Sequence, residues 1–100
     1  MLGKVRSGSG IDRNRKWDSL GFYPGTLNVL LDMRLPPTTA DFYRFEFACV
    51  KGKLNGIDCY VCADKELTDK RLVFILAEWK LRDIFNLEDD DYVNVEIKRG

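Results

Sequence analysis

Histidine is absent from the 100 residues. That removes Ser-His and Cys-His nucleophile pairs, imidazole acid–base work and most zinc sites before any motif is considered. An excess of charge of one sign is missing too. Sixteen Lys plus Arg face 16 Asp plus Glu, so no net positive field is available to hold a nucleic-acid backbone or an anionic membrane, and neither is expected as a partner. Long apolar runs are lacking: Leu72 to Ala77, the longest, has six residues, against the roughly 18 that a membrane span requires. Cysteine is scarce and odd in number, with Cys49, Cys59 and Cys62, and Met1 to Gly10 holds no apolar stretch of the secretory-leader kind. A reducing, cytoplasmic setting is the expectation. What is present, 45% hydrophobic and 32% charged residues, describes one soluble domain over 1–100, able to bury roughly 65% of the unfolded chain's surface in a single core. It is expected to act as a monomer.

Charge is even overall but unevenly placed. Lys4, Arg6, Arg13, Arg15 and Lys16 make the first segment basic, while Glu88 to Asp91 is a run of four acids. Leu2 to Ser7 reads as a strand that feeds into Ser7-Gly8-Ser9-Gly10, and Thr26 to Met33 as a second, central strand after turn chemistry at Gly21 to Gly25. Asp41 to Val50 alternates, with Tyr43, Phe45, Phe47 and Cys49 predicted on an aromatic core face. Asn55-Gly56 is a favoured hairpin dipeptide because both residues tolerate positive φ, so residues 57 to 63 are predicted to return antiparallel to 42 to 50. Arg71 to Ala77 reads as a buried strand. Trp79 to Asn86 follows as a short amphipathic helix with Leu81, Ile84 and Phe85 inward, and Tyr92 to Lys98 as the last strand. Six short strands, one small helix and no βαβ rhythm predict a mainly β fold, a small six-stranded closed β-barrel with its helix near the C-terminus.

Four features carry candidate chemistry. Cys59 and Cys62 are three apart on a strand and so face opposite ways, which prevents joint chelation and reads as buried structural thiols. Glu88 to Asp91 lacks the spaced oxygen ligands and the glycine of a calcium loop and reads as a solvated acidic turn. Ser7-Gly8-Ser9-Gly10 has the composition of a plain turn, yet a strand runs straight into it and cations flank it. Its glycines would let backbone N–H groups converge on phosphate oxygens. Thr26 and Asn28, two apart on a strand, put a hydroxyl and an amide on one face. Side-by-side hard oxygen donors suit Mg²⁺, and the same pattern is also that of a polar strand face in water.

Gly3-Lys-Val-Arg-Ser-Gly-Ser-Gly10, Leu20-Gly-Phe-Tyr-Pro-Gly-Thr-Leu-Asn28, and Lys80-Leu-Arg-Asp-Ile-Phe-Asn-Leu87 followed by Asp91 to Ile97 together resemble the archaeal-type CTP-dependent riboflavin kinase family. The three blocks match in order and span nearly the whole chain. The resemblance implies a cradle-loop barrel that takes CTP and Mg²⁺, phosphorylates riboflavin to FMN and releases CDP. It assigns Ser7, Gly8, Ser9, Gly10, Ile11 and Asp12 to the loop around the nucleotide phosphates. It assigns Lys80, Leu81, Arg82 and Asp83 to the border of the cytosine, and Thr26 with Asn28 to the metal. The chain departs from the family in two places. Only Ile11 to Tyr23 separates the glycine loop from the Gly-Thr-Leu-Asn strand. Glu66 to Phe74, where family members carry Thr and Glu contacts to the flavin, has apolar or basic residues at those positions. Glu78 and Asp12 are the acids nearest in sequence to this site and the candidates for a catalytic base, though acids so placed are more often solvated surface groups. The alternatives to a riboflavin kinase are a CTP-dependent kinase with a different alcohol acceptor and a non-catalytic cytidine-nucleotide-binding module.

Overall fold

The computed structural model describes residues 1–6, 21 and 27–98. Its organising element is the hairpin turned by Asn55 and Gly56, whose φ angles of 49° and 85° are the left-handed values such a two-residue turn demands. It joins β4 (Phe47–Leu54) to β5 (Ile57–Asp64) over the full length of both strands, Leu54 opposite Ile57 and Phe47 opposite Asp64. The strand predicted over Asp41 to Val50 is therefore two strands. The chain reverses at Phe45 and Glu46, both at positive φ, 53° and 71°, so that β3 (Phe42–Arg44) folds back on the start of β4. β5 pairs with residues 47 to 54, so of the predicted 42 to 50 only 47 to 50 face it. The predicted aromatic face is split accordingly: Phe47 and Cys49 are buried, while Tyr43 is 65% exposed.

The remaining strands are β1 (Leu2–Arg6), β2 (Leu27–Leu31), β6 (Leu72–Leu76) and β7 (Tyr92–Ile97), with α1 (Leu81–Phe85) between the last two. Six of them close a ring in the order β4, β5, β6, β2, β1, β7 and back to β4, all antiparallel, and β3 lies outside the ring on the edge of β4. The mainly β barrel with one short C-terminal helix is thus present. The ring closes where Gly52 faces Ile97. A Cβ on Gly52 would collide with the Glu96 carbonyl, so only glycine admits this approach of β7.

Strict alternation on β2 and β7 sends Val29, Leu31, Val93 and Val95 inward, where they meet Val61 and Ile75 in an aliphatic interior. A second cluster, Phe47, Cys49, Cys62, Phe74 and Leu76, is buried on the other face of β4, β5 and β6. Its rings pack edge to face, Phe47 on Phe74 with centroids 4.9 Å apart. Cys59 belongs to the interior and Cys62 to the outer cluster, as their spacing predicts. In α1, Leu81 is buried, whereas Ile84 is 46% exposed. The inward assignment of Ile84 fails because the helix is shorter than predicted. Asn86 turns left-handed (φ 52°) and hands the Arg82 carbonyl its closing bond, so a single turn presents Leu81 and, partly buried, Phe85 to the barrel. No helix among the described residues is long and apolar enough to cross a membrane.

Candidate functional site

Strand direction decides which side chains share an end of the barrel. β1 runs from Met1 at one pole to Arg6 at the other. Its antiparallel partner β2 begins beside Arg6, with Asn28 as the Cα partner of that residue. β6 reaches the same pole on the other side of β2, placing Phe74 opposite Asn28 and leading into Glu78, Trp79 and α1. The Arg82 guanidinium then closes the arrangement. Its Nη2 donates to the Arg6 carbonyl at 3.4 Å and pairs with Asp89 Oδ1 at 2.8 Å, and its Nη1 donates to the Leu87 carbonyl at 3.5 Å. One side chain thus ties α1 to the last residue before the Ser7 segment and to the acidic turn. That turn is held to β1 directly, through Asp90 N to Val5 O and Val5 N to Asp91 O, both 2.8 Å. Its four acids are exposed, as the sequence predicts.

The structure therefore gathers Arg6, Asn28 and Lys80 to Asp83, which lie far apart in the chain. Ser7 to Asp12 and Thr26 lie outside the described residues. Lys80 forms a long ion pair with Asp83 (3.9 Å), both exposed, which solvent screens. Asn28 is half-buried on the outer face of β2, between inward Leu27 and Val29, and its side-chain amide has no hydrogen-bond partner among the described residues. An amide oxygen at a half-buried position is a hard donor of the kind Mg²⁺ takes. Among the described residues no three His, Cys, Asp or Glu side chains gather as a metal-binding group. Glu78 is exposed on the segment between β6 and α1.

Two features escape a reading of the sequence. Trp79 is 53% exposed immediately before Lys80 and forms one wall of a cleft of about 500 Å³ with Tyr60, Lys51 and Glu78. A large aromatic left in water beside a concave surface is a recognition feature, and its place next to Lys80 is the only trace it leaves in the sequence. The second is a lateral row across the outer wall, Arg6, Asn28, Phe74, Cys62 and Cys49, each the register partner of the next. It sets Asn28 directly beside the buried ring of Phe74. A larger cavity, about 690 Å³, lies between Pro36–Asp41 and Val95–Lys98, beside Met1 and so toward the end of β1 away from Arg6. No family model matches the chain, and no curated protein matches it.

Proposed function

We propose that the protein binds a cytidine nucleotide with Mg²⁺ at the α1 pole and transfers its terminal phosphoryl group to a small alcohol, riboflavin by family resemblance. The observation that carries this reading is the Arg82 guanidinium on the Arg6 carbonyl. It joins the segment proposed to border the base to Arg6, the residue before the segment proposed to wrap the phosphates, with Asn28 paired to the same Arg6. Convergence of base, phosphate and metal segments is what phosphoryl transfer needs, since its catalysis is mostly positioning and charge neutralisation. The acceptor hydroxyl oxygen would attack the terminal phosphorus, the bond to the CDP oxygen would break, and the proton would pass to a phosphate oxygen or to a carboxylate such as Glu78 or Asp12. Mg²⁺, held by Asn28 and Thr26, would supply charge neutralisation of the phosphates when bound.

A second reading, a nucleotide-binding module without transfer, has its own support. Beside Asn28 the wall presents Phe74, only 4% exposed and packed on Phe47, an apolar ring that offers a flavin no hydrogen bond. Calorimetry with CTP, CDP, ATP and GTP, with and without Mg²⁺, tests the binding step. CTP or CDP should bind in preference to ATP, and Asn28→Leu with Thr26→Val should abolish the Mg²⁺ dependence while the circular dichroism stays native. Equal or tighter ATP binding would overturn the nucleotide assignment. Chromatography of riboflavin, CTP and Mg²⁺ reactions then separates the readings: FMN and CDP at many turnovers support the kinase, and tight CTP binding without product supports the module.

A further inference from the structure

Cys49 on β4 and Cys62 on β5 are register partners in the outer cluster, while Cys59 points into the interior. Whether such partners can bond covalently depends on which kind of ladder position they hold. In a hairpin with a two-residue turn the flanking residues, here Leu54 and Ile57, exchange the first pair of backbone hydrogen bonds, and bonded and non-bonded pairs alternate from there. Glu46 and Lys65, an even number of steps along the same register, confirm the phase, since Lys65 N donates to Glu46 O at 3.0 Å. Cys49 and Cys62 stand an odd number of steps from the turn and form a non-hydrogen-bonded pair. Cα atoms in such pairs approach to about 4.5 Å, inside the roughly 4.4–6.8 Å that a disulfide spans. The two side chains share one face and belong to the same buried cluster.

We infer that Cys49 and Cys62 form a thiol–disulfide couple, able to close as a cross-strand disulfide without moving β4 or β5. A small organic disulfide such as glutathione disulfide is the oxidant class. One thiol loses its proton and attacks an oxidant sulfur, expelling one thiolate. The second thiol then attacks the mixed disulfide, the Cys49–Cys62 bond forms, and the second oxidant thiol leaves. Two electrons and two protons pass to the oxidant, which ends as two thiols. Both cysteines are fully buried, and burial pushes the Cys62 thiol well above its ordinary value, so the reaction is slow and waits on local opening. The element that opens is β3, a three-residue edge strand whose Phe42 partners Cys49.

The test is to incubate the folded protein overnight with glutathione disulfide at neutral pH, quench in acid, unfold, alkylate with iodoacetamide and map the thiols by mass spectrometry. The expected product is one intramolecular Cys49–Cys62 link with Cys59 alkylated, unchanged far-ultraviolet circular dichroism, and a urea midpoint that rises and falls back on reduction. Cys59→Ala should give the same link and Cys49→Ser none. The unfolded chain, treated identically in urea, should scramble among the three possible pairings. The inference is overturned by a folded protein that stays reduced while its unfolded chain oxidises. A stable mixed disulfide with glutathione, a link through Cys59, or loss of the native spectrum on closure would overturn it equally.

Discussion

The two halves of the barrel wall are built differently. On β1, β2 and β7 burial alternates residue by residue. The inner side chains are aliphatic, and the outer ones, among them Lys4, Arg6, Asn28 and Tyr92, are exposed or half-exposed. Where β4, β5 and β6 meet, successive residues Phe47 to Val50, Val61 to Ala63 and Val73 to Leu76 are all buried. That half of the wall has a dry face on each side, aliphatic within and aromatic with thiols without. The contrast is instructive because Asn28 sits on the boundary, the last polar outer residue of one half and the neighbour of the first buried ring of the other. A polar group at such an edge keeps its hydrogen-bonding capacity while much of its water is displaced, the condition under which an oxygen ligand gains most from a cation.

The sharpest break of this comparison is a pair of truncations on the two outer faces. Phe74→Ala should cost about 3–5 kcal/mol, the range for emptying a packed aromatic site. Tyr92→Ala, which removes only an exposed ring with Lys4 Nζ 5.5 Å from its centroid, should cost under about 1 kcal/mol. Urea denaturation measures both, and similar midpoints for the two variants would show that the outer cluster is not a core. Next in size is Gly52→Ala, at the seam where the halves join. The added methyl meets the Glu96 carbonyl, so a loss of about 1–3 kcal/mol is expected from overpacking, with amide exchange of β7 accelerated ahead of that of β5. Wild-type exchange in β7 would place the closing contact elsewhere.

The smallest effect compares the dryness of the two faces. Burial, with the Asp58 charge adding to it, pushes the interior Cys59 thiol from its ordinary 9.0 up to about 12. Burial raises the outer Cys62 thiol too. Unfolded thiols release their protons above pH 9.0 while the folded Cys59 keeps its proton until about pH 12, so rising pH favours the unfolded chain. The stability these thiols contribute is full below the unfolded value and is lost through the folded one. Cys59→Ala and Cys62→Ala should each flatten the alkaline limb of a stability–pH profile. A flattened limb for Cys59→Ala alone would mean that the outer face is wet.

Much of this architecture is legible in the sequence where local chemistry agrees with the fold. Asn55-Gly56 announces its turn because both residues accept left-handed φ, and the alternation of Val93 and Val95 announces a half-buried strand. Phe45 and Glu46 announce nothing. Neither favours positive φ, and the turn exists because packing of Phe42 and Phe45 against the outer cluster outweighs the local cost. Ile84 misleads for the opposite reason, since its amphipathic pattern predicts a longer helix than the Asn86 cap allows. Of the candidate site, Asn28 and Lys80 to Asp83 are visible as motifs. The Arg82 bridge to Arg6 and the Asn28–Phe74 juxtaposition depend on strand order, which periodicity does not encode.

The seam between β7 and its two neighbours also governs how the chain reaches this structure. β7 pairs with β1, Leu2 facing Asn94, and with β4, Leu54 facing Val95, so the ring has a gap until its last strand is made. During synthesis β1 has only β2 to pair with until β7 leaves the ribosome, and the interior of a nearly complete barrel stays open on that side. Closure between residues so far apart in sequence comes late and slowly. Until that seam forms, Val29, Val61 and Ile75, which the closed ring buries, lack their full cover, and exposed apolar surface of this kind is what makes incomplete folds prone to aggregate.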